Sequence, residues 1–429
     1  MTRIERTDWD GAGAEGLAAR LRELVPAPRA VGAEVREIVD QVRDGGDRAL
    51  RELAERFGEP APEPFRIDPG AVRAAPDAIA GGVREALEVA ARNVEAVARA
   101  DASVVGRTTV CELPEGQRVE VHRQPVAAAG IYAPGGRAAY PSSVLMCAIP
   151  ARVAGVGRVA VTTPPGAGGA PADPVLAACA IADVDEVYAI GGAQAIAALA
   201  YGTEGVDAVD VVAGPGNRYV TEAKRIVAGE VGVDGTAGPS ELVVVAGPGA
   251  RADWIALDLL AQAEHGDDSP LALISPDAEL LETVAATVGR LETDRPSVSG
   301  APLALVSSPD LHSALALADA FAPEHLELAV DGAEELAADR LAGCVFVGAG
   351  GATAFGDYAA GSNHVLPTGG AARFGGPLGP ATFMRRTSVV SLPEVAAEAL
   401  APHVTALARA EGFPVHGESA TARAEGTRR

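Results

Sequence analysis

Aromatic residues are scarce in this 429-residue sequence, at 4%, with 2 Trp, 6 Tyr and 8 Phe. Its cores must be built from aliphatic side chains, in keeping with 48% hydrophobic residues overall. Cysteine is scarcer still: Cys111, Cys147, Cys179 and Cys344 are far apart and form neither a CxxC pair nor a Cys/His cluster. That excludes a disulfide framework and a cysteine-based zinc knuckle. All four read as buried thiols, and Cys147, which follows a glycine-rich loop, is the one to test as a nucleophile. No apolar run reaches the roughly 20 residues of a membrane span, and Met1 to Arg6 carries no secretory apolar segment, so a cytoplasmic location is expected. Positive charge is also short. Lys and Arg number 35 against 58 Asp and Glu, giving a net charge of −23. Such a surface repels phosphate backbones, so nucleic acid is not an expected partner. Arg423, Arg428 and Arg429 at the terminus are too few to reverse this. No repeat at solenoid periods is present.

A chain of this length exceeds what one core usually supports, which points to two or three structural units. Residues 31 to 57 read as two short amphipathic helices separated by Gly45-Gly46. A longer helix follows from about Asp77 to Ala100, with Ile79, Val83, Leu87, Ala90, Val94 and Val97 inward. From about residue 117 short β-rich runs alternate with helices. Strands are expected at 118–121, 158–163, 186–190, 208–212, 241–245, 271–274, 303–306 and 344–347. Helices are expected at 142–154, 174–182, 193–201 and 219–227. Several of the strands are unbroken apolar runs, as in a parallel sheet covered on both faces. The glycine-rich stretch 369–380 reads as a hinge into a tail with one more helix, from about Leu392 to Ala410.

The chemistry gathers in a few places. Gln262 and His265 end an amphipathic helix that begins near Ala252, with Trp254, Ile255, Leu257, Leu259 and Leu260 supplying its apolar faces. Spaced three apart, Gln262 and His265 project from one side and can converge on a metal ion. Read alone, the same pair is an ordinary helix end with a histidine near the negative pole of the dipole. Glycine-rich turns at 131–136, 190–194 and 213–217 join strands to helices, and a similar turn at 237–241 leads into a strand. Together the strand-to-helix turns suggest a crevice where backbone amides meet an anionic ligand, although none matches GxGxxG. Pro323-Glu324-His325 offers a carboxylate and an imidazole to one pocket, as an acid/base pair or as an unremarkable loop. Gly356 to His364 supplies Asp357 and another imidazole. A site assembled from Gln262, His265, Asp357 and His416 would give a divalent ion two imidazoles, a carboxylate and a neutral oxygen, which suits Zn²⁺.

Along nearly its whole length the chain resembles the histidinol dehydrogenase family. The segments that carry this are IYAPGG (131–136), GGAQAIAALAYGT (191–203), GPGNRYV (214–220), VDGTAGPSE (233–241), DLLAQAEH (258–265), APEHLEL (322–328), GDYAAGSNHVLPT (356–368) and EGFPVH (411–416). The resemblance implies a zinc- and NAD-dependent oxidation of L-histidinol to L-histidine. It implies zinc ligands Gln262, His265, Asp357 and His416, general base His325, and Glu324 as the group that activates water. It further implies substrate contacts at Ser240, His364 and Glu411 and cofactor contacts at Tyr132, Gln194 and Asn217. The implied α/β fold has two incomplete Rossmann-like halves, similar to aldehyde dehydrogenases, and an extended C-terminal tail in a domain-swapped homodimer. Residues 1–131 with 240–378 would carry the metal and acid/base groups, 132–239 the cofactor, and 379–429 would reach the partner's site. The sequence departs from the family at Gly351-Ala352-Thr353, where Ser-Pro-Glu is usual, and at Asp319, where Asn is common. Thr353 leaves another amino alcohol or polyol as the alternative substrate class. A zinc hydrolase with Glu324 or Glu264 as base is the competing chemistry, though no HExxH is present.

Overall fold

In the computed structural model the described residues are 2–25, 31–135, 138–236, 238–298 and 300–426, so Gly136, Ala237, Arg428 and Arg429 lie outside them. The apolar runs fold into two all-parallel sheets. In the first, the strands stand side by side in the order Glu186–Ala189, Arg158–Thr163, Ala128–Tyr132, Val211–Ala213 and Gly232–Val233. By chain order within the sheet this is 3-2-1-4-5. The second sheet repeats it with Pro302–Ser307, Leu271–Ser275, Leu242–Ala246, His325–Ala329 and Cys344–Val347, and adds Arg3–Asp8 beside Pro302–Ser307. In each sheet the strand order reverses between two central strands, which is where α/β sheets open a crevice.

Aliphatic packing covers both faces. Leu326 and Leu328 face a core completed by helix Leu311–Phe321. On the opposite face Leu242, Val244 and Ala329 meet Ile255, Leu259 and Leu260 of helix Ala252–Ala263. Side chains alternate along a strand, so His325 and Glu327 point to the same side as Ala329, toward that helix.

The expected strands at 158–163 and 344–347 coincide with the observed ones, and the other expected strands and the four expected helices are present with shifted ends. Several differences have physical causes. Residues 32–57 form one helix by hydrogen bonding, but Gly46 has φ 53° and ψ −140°, which breaks its axis as the glycine pair implied. The 77–100 helix is two, Pro69–Ala78 and Gly81–Val105; Val83 and Val97 are exposed where an inward face was expected. Trp254 and Leu257 are likewise exposed, and Trp254 lies under the Arg251 guanidinium. The 369–380 stretch holds one short 3₁₀ turn, Ala371–Arg373, and ends where a second, Pro380–Phe383, begins.

The chain divides into two units, Met1–Ala100 with Ala127–Phe383 and Asp101–Val126 with Met384–Arg429. Helix Gly32–Phe57 buries Val35, Ile38 and Leu50 in one core with Tyr132 and Ile196 of the first sheet's half. The C-terminal segment is not an extended tail. Strand Met384–Ser391 pairs antiparallel with Arg118–Pro125, which pairs with Thr108–Glu112, and helices Glu394–Ala410 and Pro414–Gly426 pack on each other. Their crossing is close at Gly417, where an added Cβ would lie 3.1 Å from Thr405 Cα.

Candidate active site

Glu324 and His325 enter the second sheet at its reversal point, at the amino end of strand His325–Ala329. The chain reaches them from helix Leu311–Phe321 through Ala322, a non-glycine residue at φ 47° and ψ 64°. Residue 241, at the amino end of the neighbouring strand, holds both through its main chain. Glu241 N–H donates to Glu324 Oε2 at 2.9 Å, and its carbonyl accepts from both the backbone N–H and the ring Nδ1 of His325 at 3.1 Å. The Glu241 side chain is in turn gripped by Arg22, which also donates to the Phe321 carbonyl and stacks on the Phe321 ring.

A carbonyl can only accept, so Nδ1 of His325 carries a proton and Nε2 holds the free lone pair of the neutral ring. Nε2 is buried without a hydrogen bond and stands 3.4 Å from Asp357 Oδ1, an ionic rather than a bonded contact. Burial works against charge on this ring, but Glu324 and Asp357 outweigh it and lift its pKa to about 9. Burial lifts the Glu324 carboxyl to about 7, opposed by His325 and by hydrogen bonds from Ser240 and the Glu241 amide. Both groups change protonation near the range where a general acid or base must work.

Ser240 links them to Gln262. Its hydroxyl donates to Glu324 Oε2 at 2.5 Å and accepts from Gln262 Nε2 at 2.5 Å. The amide nitrogen being committed, Gln262 has its carbonyl oxygen to offer elsewhere. Gln262 is buried in the last turn of helix Ala252–Ala263, with Glu264 as the C-cap and His265 just beyond, its N–H on the main-chain carbonyl of Gln262 at 3.2 Å. The His265 surface is open to solvent, but the protein around it depresses its pKa, against the pull of Asp357. Asp357 lies in helix Thr353–Tyr358; burial would raise its pKa, but His325, His364 and His265 hold it below the ordinary value. A neutral imidazole, an ionised carboxylate and a free amide oxygen are the protonation states a divalent ion requires. Among the described residues no group of three or more His, Cys, Asp and Glu is gathered closely enough to hold a metal by itself.

His364 spans the two sheets' halves. Its Nδ1 donates to the Asp357 carbonyl at 2.8 Å, which leaves Nε2 to accept from Ser143 at 3.2 Å in helix Pro141–Ala154. Asn363 donates to the Met146 carbonyl of the same helix at 2.5 Å. Ser143, Asn363 and Glu241 were not singled out from sequence, since each acts through a backbone or side-chain partner distant in the chain. Nor was a carboxyl pair beneath the site. Glu327, two residues along the strand from His325, is hydrogen-bonded to Asp258, one turn before Gln262. Thr353 is buried at the start of the Asp357 helix. Glu411 and His416 belong to the second unit, at the C-cap of helix Glu394–Ala410 and within helix Pro414–Gly426, and both are exposed.

At the first sheet, Tyr132 ends the strand on one side of the reversal point and Gly214 follows the strand on the other. The Tyr132 hydroxyl accepts from Gly192 N–H at 3.2 Å, Gln194 reaches Glu59 at 3.4 Å, and Asn217 caps helix Arg218–Val227 through Tyr219 and Val220 N–H. Tyr132 at a strand end, Gln194 in the first turn of helix Gly192–Tyr201 and Asn217 at a helix cap thus stand at three strand-to-helix junctions on the carboxyl side of one sheet. Cys147 is fully buried within helix Pro141–Ala154, and burial and the nearby Asp234 carboxylate push its thiol up. That is a packed thiol, not an activated nucleophile.

Glycine-rich strand-to-helix junctions on one parallel sheet and a buried imidazole–carboxylate pair on the other are compatible with an oxidoreductase that works with a nucleotide. The histidinol dehydrogenase family model matches residues 26–424, and the chain belongs to that family. It is 42% identical to a histidinol dehydrogenase of Leifsonia xyli subsp. xyli, over 97% of this chain and 98% of that one. It is 45% identical to one of Ruegeria pomeroyi, over 92% of each chain. The crystal structure of histidinol dehydrogenase from Elizabethkingia anophelis superposes with a TM-score of 0.91 at 28% identity, over 100% of this chain and 99% of that chain. Among the described residues no helix is long and apolar enough to cross a membrane.

Proposed function

We propose that this chain oxidises L-histidinol to L-histidine through the aldehyde, in two NAD-dependent steps that close histidine biosynthesis in the cytoplasm. The observation that carries this reading is the His325–Glu324 pair, anchored on one residue's main chain and joined through Ser240 to Gln262. Gln262, His265 and Asp357 are the zinc ligands of one chain, and His416 completes the set. Tyr132, Gln194 and Asn217 hold the dinucleotide in the Rossmann-like half built on the first sheet, with 132–239 as its core segment. When bound, zinc fixes the imidazole and amine of the substrate, and NAD⁺ takes up the two hydrides.

The chain's own groups divide the proton work. In the neutral form of His325, which a pKa of about 9 makes the major form only on the alkaline side, the proton at Nδ1 leaves Nε2 to take the carbinol proton as the C–H hydride departs. Glu324 removes a proton from the water that adds to the aldehyde, producing the hydrate that loses the second hydride. A carboxyl lifted to about 7 by burial can both accept and release that proton near neutral pH. Ser240 keeps Glu324 and Gln262 in register, and His364 and Glu411 contact the substrate. Glu411 and His416 come from a second copy of the chain, which makes a homodimer the working unit.

The test is the absorbance of NADH at 340 nm when the metal-loaded protein meets NAD⁺ and L-histidinol, beside a panel of other amino alcohols. Turnover of histidinol through to histidine is expected. NADH with another amino alcohol only would make this a paralogue, as Thr353 allows, and no reduction with any alcohol would favour the zinc hydrolase.

A further inference from the structure

Lys224 is the only lysine in the sequence; every other cationic side chain of the Lys/Arg class is arginine. It is also buried. Lys224 and Asp234 form an ion pair whose side chains are each 4% exposed, with Nζ in ionic contact with Oδ1 outside hydrogen-bond geometry. Both grip the same residue. Asp234 Oδ2 accepts from Gly214 N–H at 2.8 Å, and Lys224 Nζ donates to the Gly214 carbonyl at 3.0 Å. The main-chain donor and acceptor of one glycine are thus held by opposite charges that neutralise each other.

Gly214 has no alternative way of being fixed. Its φ is +119°, and an added Cβ would sit 2.2 Å from the Tyr132 carbonyl oxygen, so no side chain can anchor it. It opens the turn Gly214-Pro215-Gly216-Asn217, and Asn217 then caps the helix that carries Lys224. The clamp therefore closes a loop: helix to Lys224, Lys224 to Gly214, and Gly214 through the turn back to the helix start. An arginine has a planar fork and would not reproduce this compact point charge between a carboxylate and a carbonyl.

We propose that the Lys224–Asp234 pair is a positioning device for the dinucleotide: it sets the path of the Gly214–Asn217 turn, and so where Asn217 and Tyr132 stand for NAD⁺. This rests on the reading of that turn as the cofactor site. The pair touches no reacting atom, so its removal acts on cofactor binding and not on the chemistry at His325.

The experiment measures steady-state KM for NAD⁺ and for histidinol in Asp234→Asn and Lys224→Arg, with Asn217→Ala as the control on the site itself. Losing a hydrogen bond to a charged group predicts a roughly ten- to hundredfold rise in KM for NAD⁺, with KM for histidinol within about twofold of the parent. Parallel loss in both constants, or a fall in kcat alone, overturns the proposal. If Asn217→Ala leaves KM for NAD⁺ unchanged, the cofactor-site reading fails; if it raises KM while both clamp variants do not, only the clamp fails. Should the variants not fold, the native protein still decides. Labelled with ¹³C-lysine, it gives a single side-chain Cε resonance, expected to shift on NAD⁺ titration and stay put on histidinol titration. A resonance indifferent to saturating NAD⁺ overturns the proposal.

Discussion

The carboxyl pair beneath the active site gives a sharp pH test. Glu327 is 5% exposed, and its Oε2 is buried without a partner. Burial, followed by the charge of Asp258, lifts its pKa to about 9. Asp258 is lifted to about 6 by burial, offset by the hydrogen bond from Glu327. At neutral pH the pair therefore holds one proton, on Glu327, which donates it to an ionised Asp258. In the unfolded chain Glu327 ionises near the ordinary carboxyl value of 4.5. Between that value and about 9 the unfolded state sheds a proton that the folded state keeps, so stability falls as pH rises through this window and levels above it. With 1.36 kcal/mol per pKa unit, the loss at the alkaline end is on the order of several kcal/mol. Glu327→Gln supplies a permanently neutral donor to Asp258 and removes the slope. Its melting temperature should exceed the parent's by more at pH 8.5 than at pH 5.5, read by scanning calorimetry at matched ionic strength. A difference independent of pH, or a variant less stable at pH 8.5 than at pH 5.5 relative to the parent, would refute the shared-proton reading.

Three further expectations follow from the site. Cys147→Ala should leave both oxidations within about twofold of the parent, at a stability loss of roughly 1–2 kcal/mol for the vacated volume; rapid-quench measurement of the aldehyde step is the check, and selective loss of that step would make Cys147 a nucleophile after all. Ser240→Ala removes the hydroxyl shared by Glu324 and Gln262, and a lost bond to a carboxylate of about 1.5–3 kcal/mol predicts a ten- to hundredfold fall in kcat/KM for histidinol; an unchanged value would show that the link has no part in catalysis. Mixing inactive His265→Ala with inactive His416→Ala should restore partial activity once subunits exchange, because one site in a mixed dimer regains all its ligands; exchange without recovery would place His416 in its own chain's site.

What was legible in the sequence was what one element can state by itself. Valine- and leucine-rich runs between helices declared parallel sheets, because a strand covered on both faces has no polar side to show. Gly46 announced a helix break because few other residues reach its φ. Gln262 and His265 were legible as a pair because helix spacing puts them on one side, although the helix proper ends before His265. The alternating charged strand Arg3–Asp8 and the strand begun by His325 were not, the first because a sheet edge tolerates polar residues, the second because two charged-type residues looked like a loop. The tail's two helices joined at Gly412-Phe413 were half seen, since only the first has a regular apolar stripe.

The chemistry of the candidate site was decided later, in three dimensions. That Nε2 of His325 is the free nitrogen follows from a carbonyl 84 residues away. That the His364 ring is oriented follows from the Asp357 carbonyl and from Ser143, 221 residues away, while burial disfavours its charged form. Asp234 meets Gly214 across 20 residues and Lys224 only after the helix has turned back on the sheet. Sequence determined which donors, acceptors and charges the chain owns and which elements carry them. Only the tertiary structure decided their protonation and their partners, because both depend on burial and on groups that chain order does not bring together.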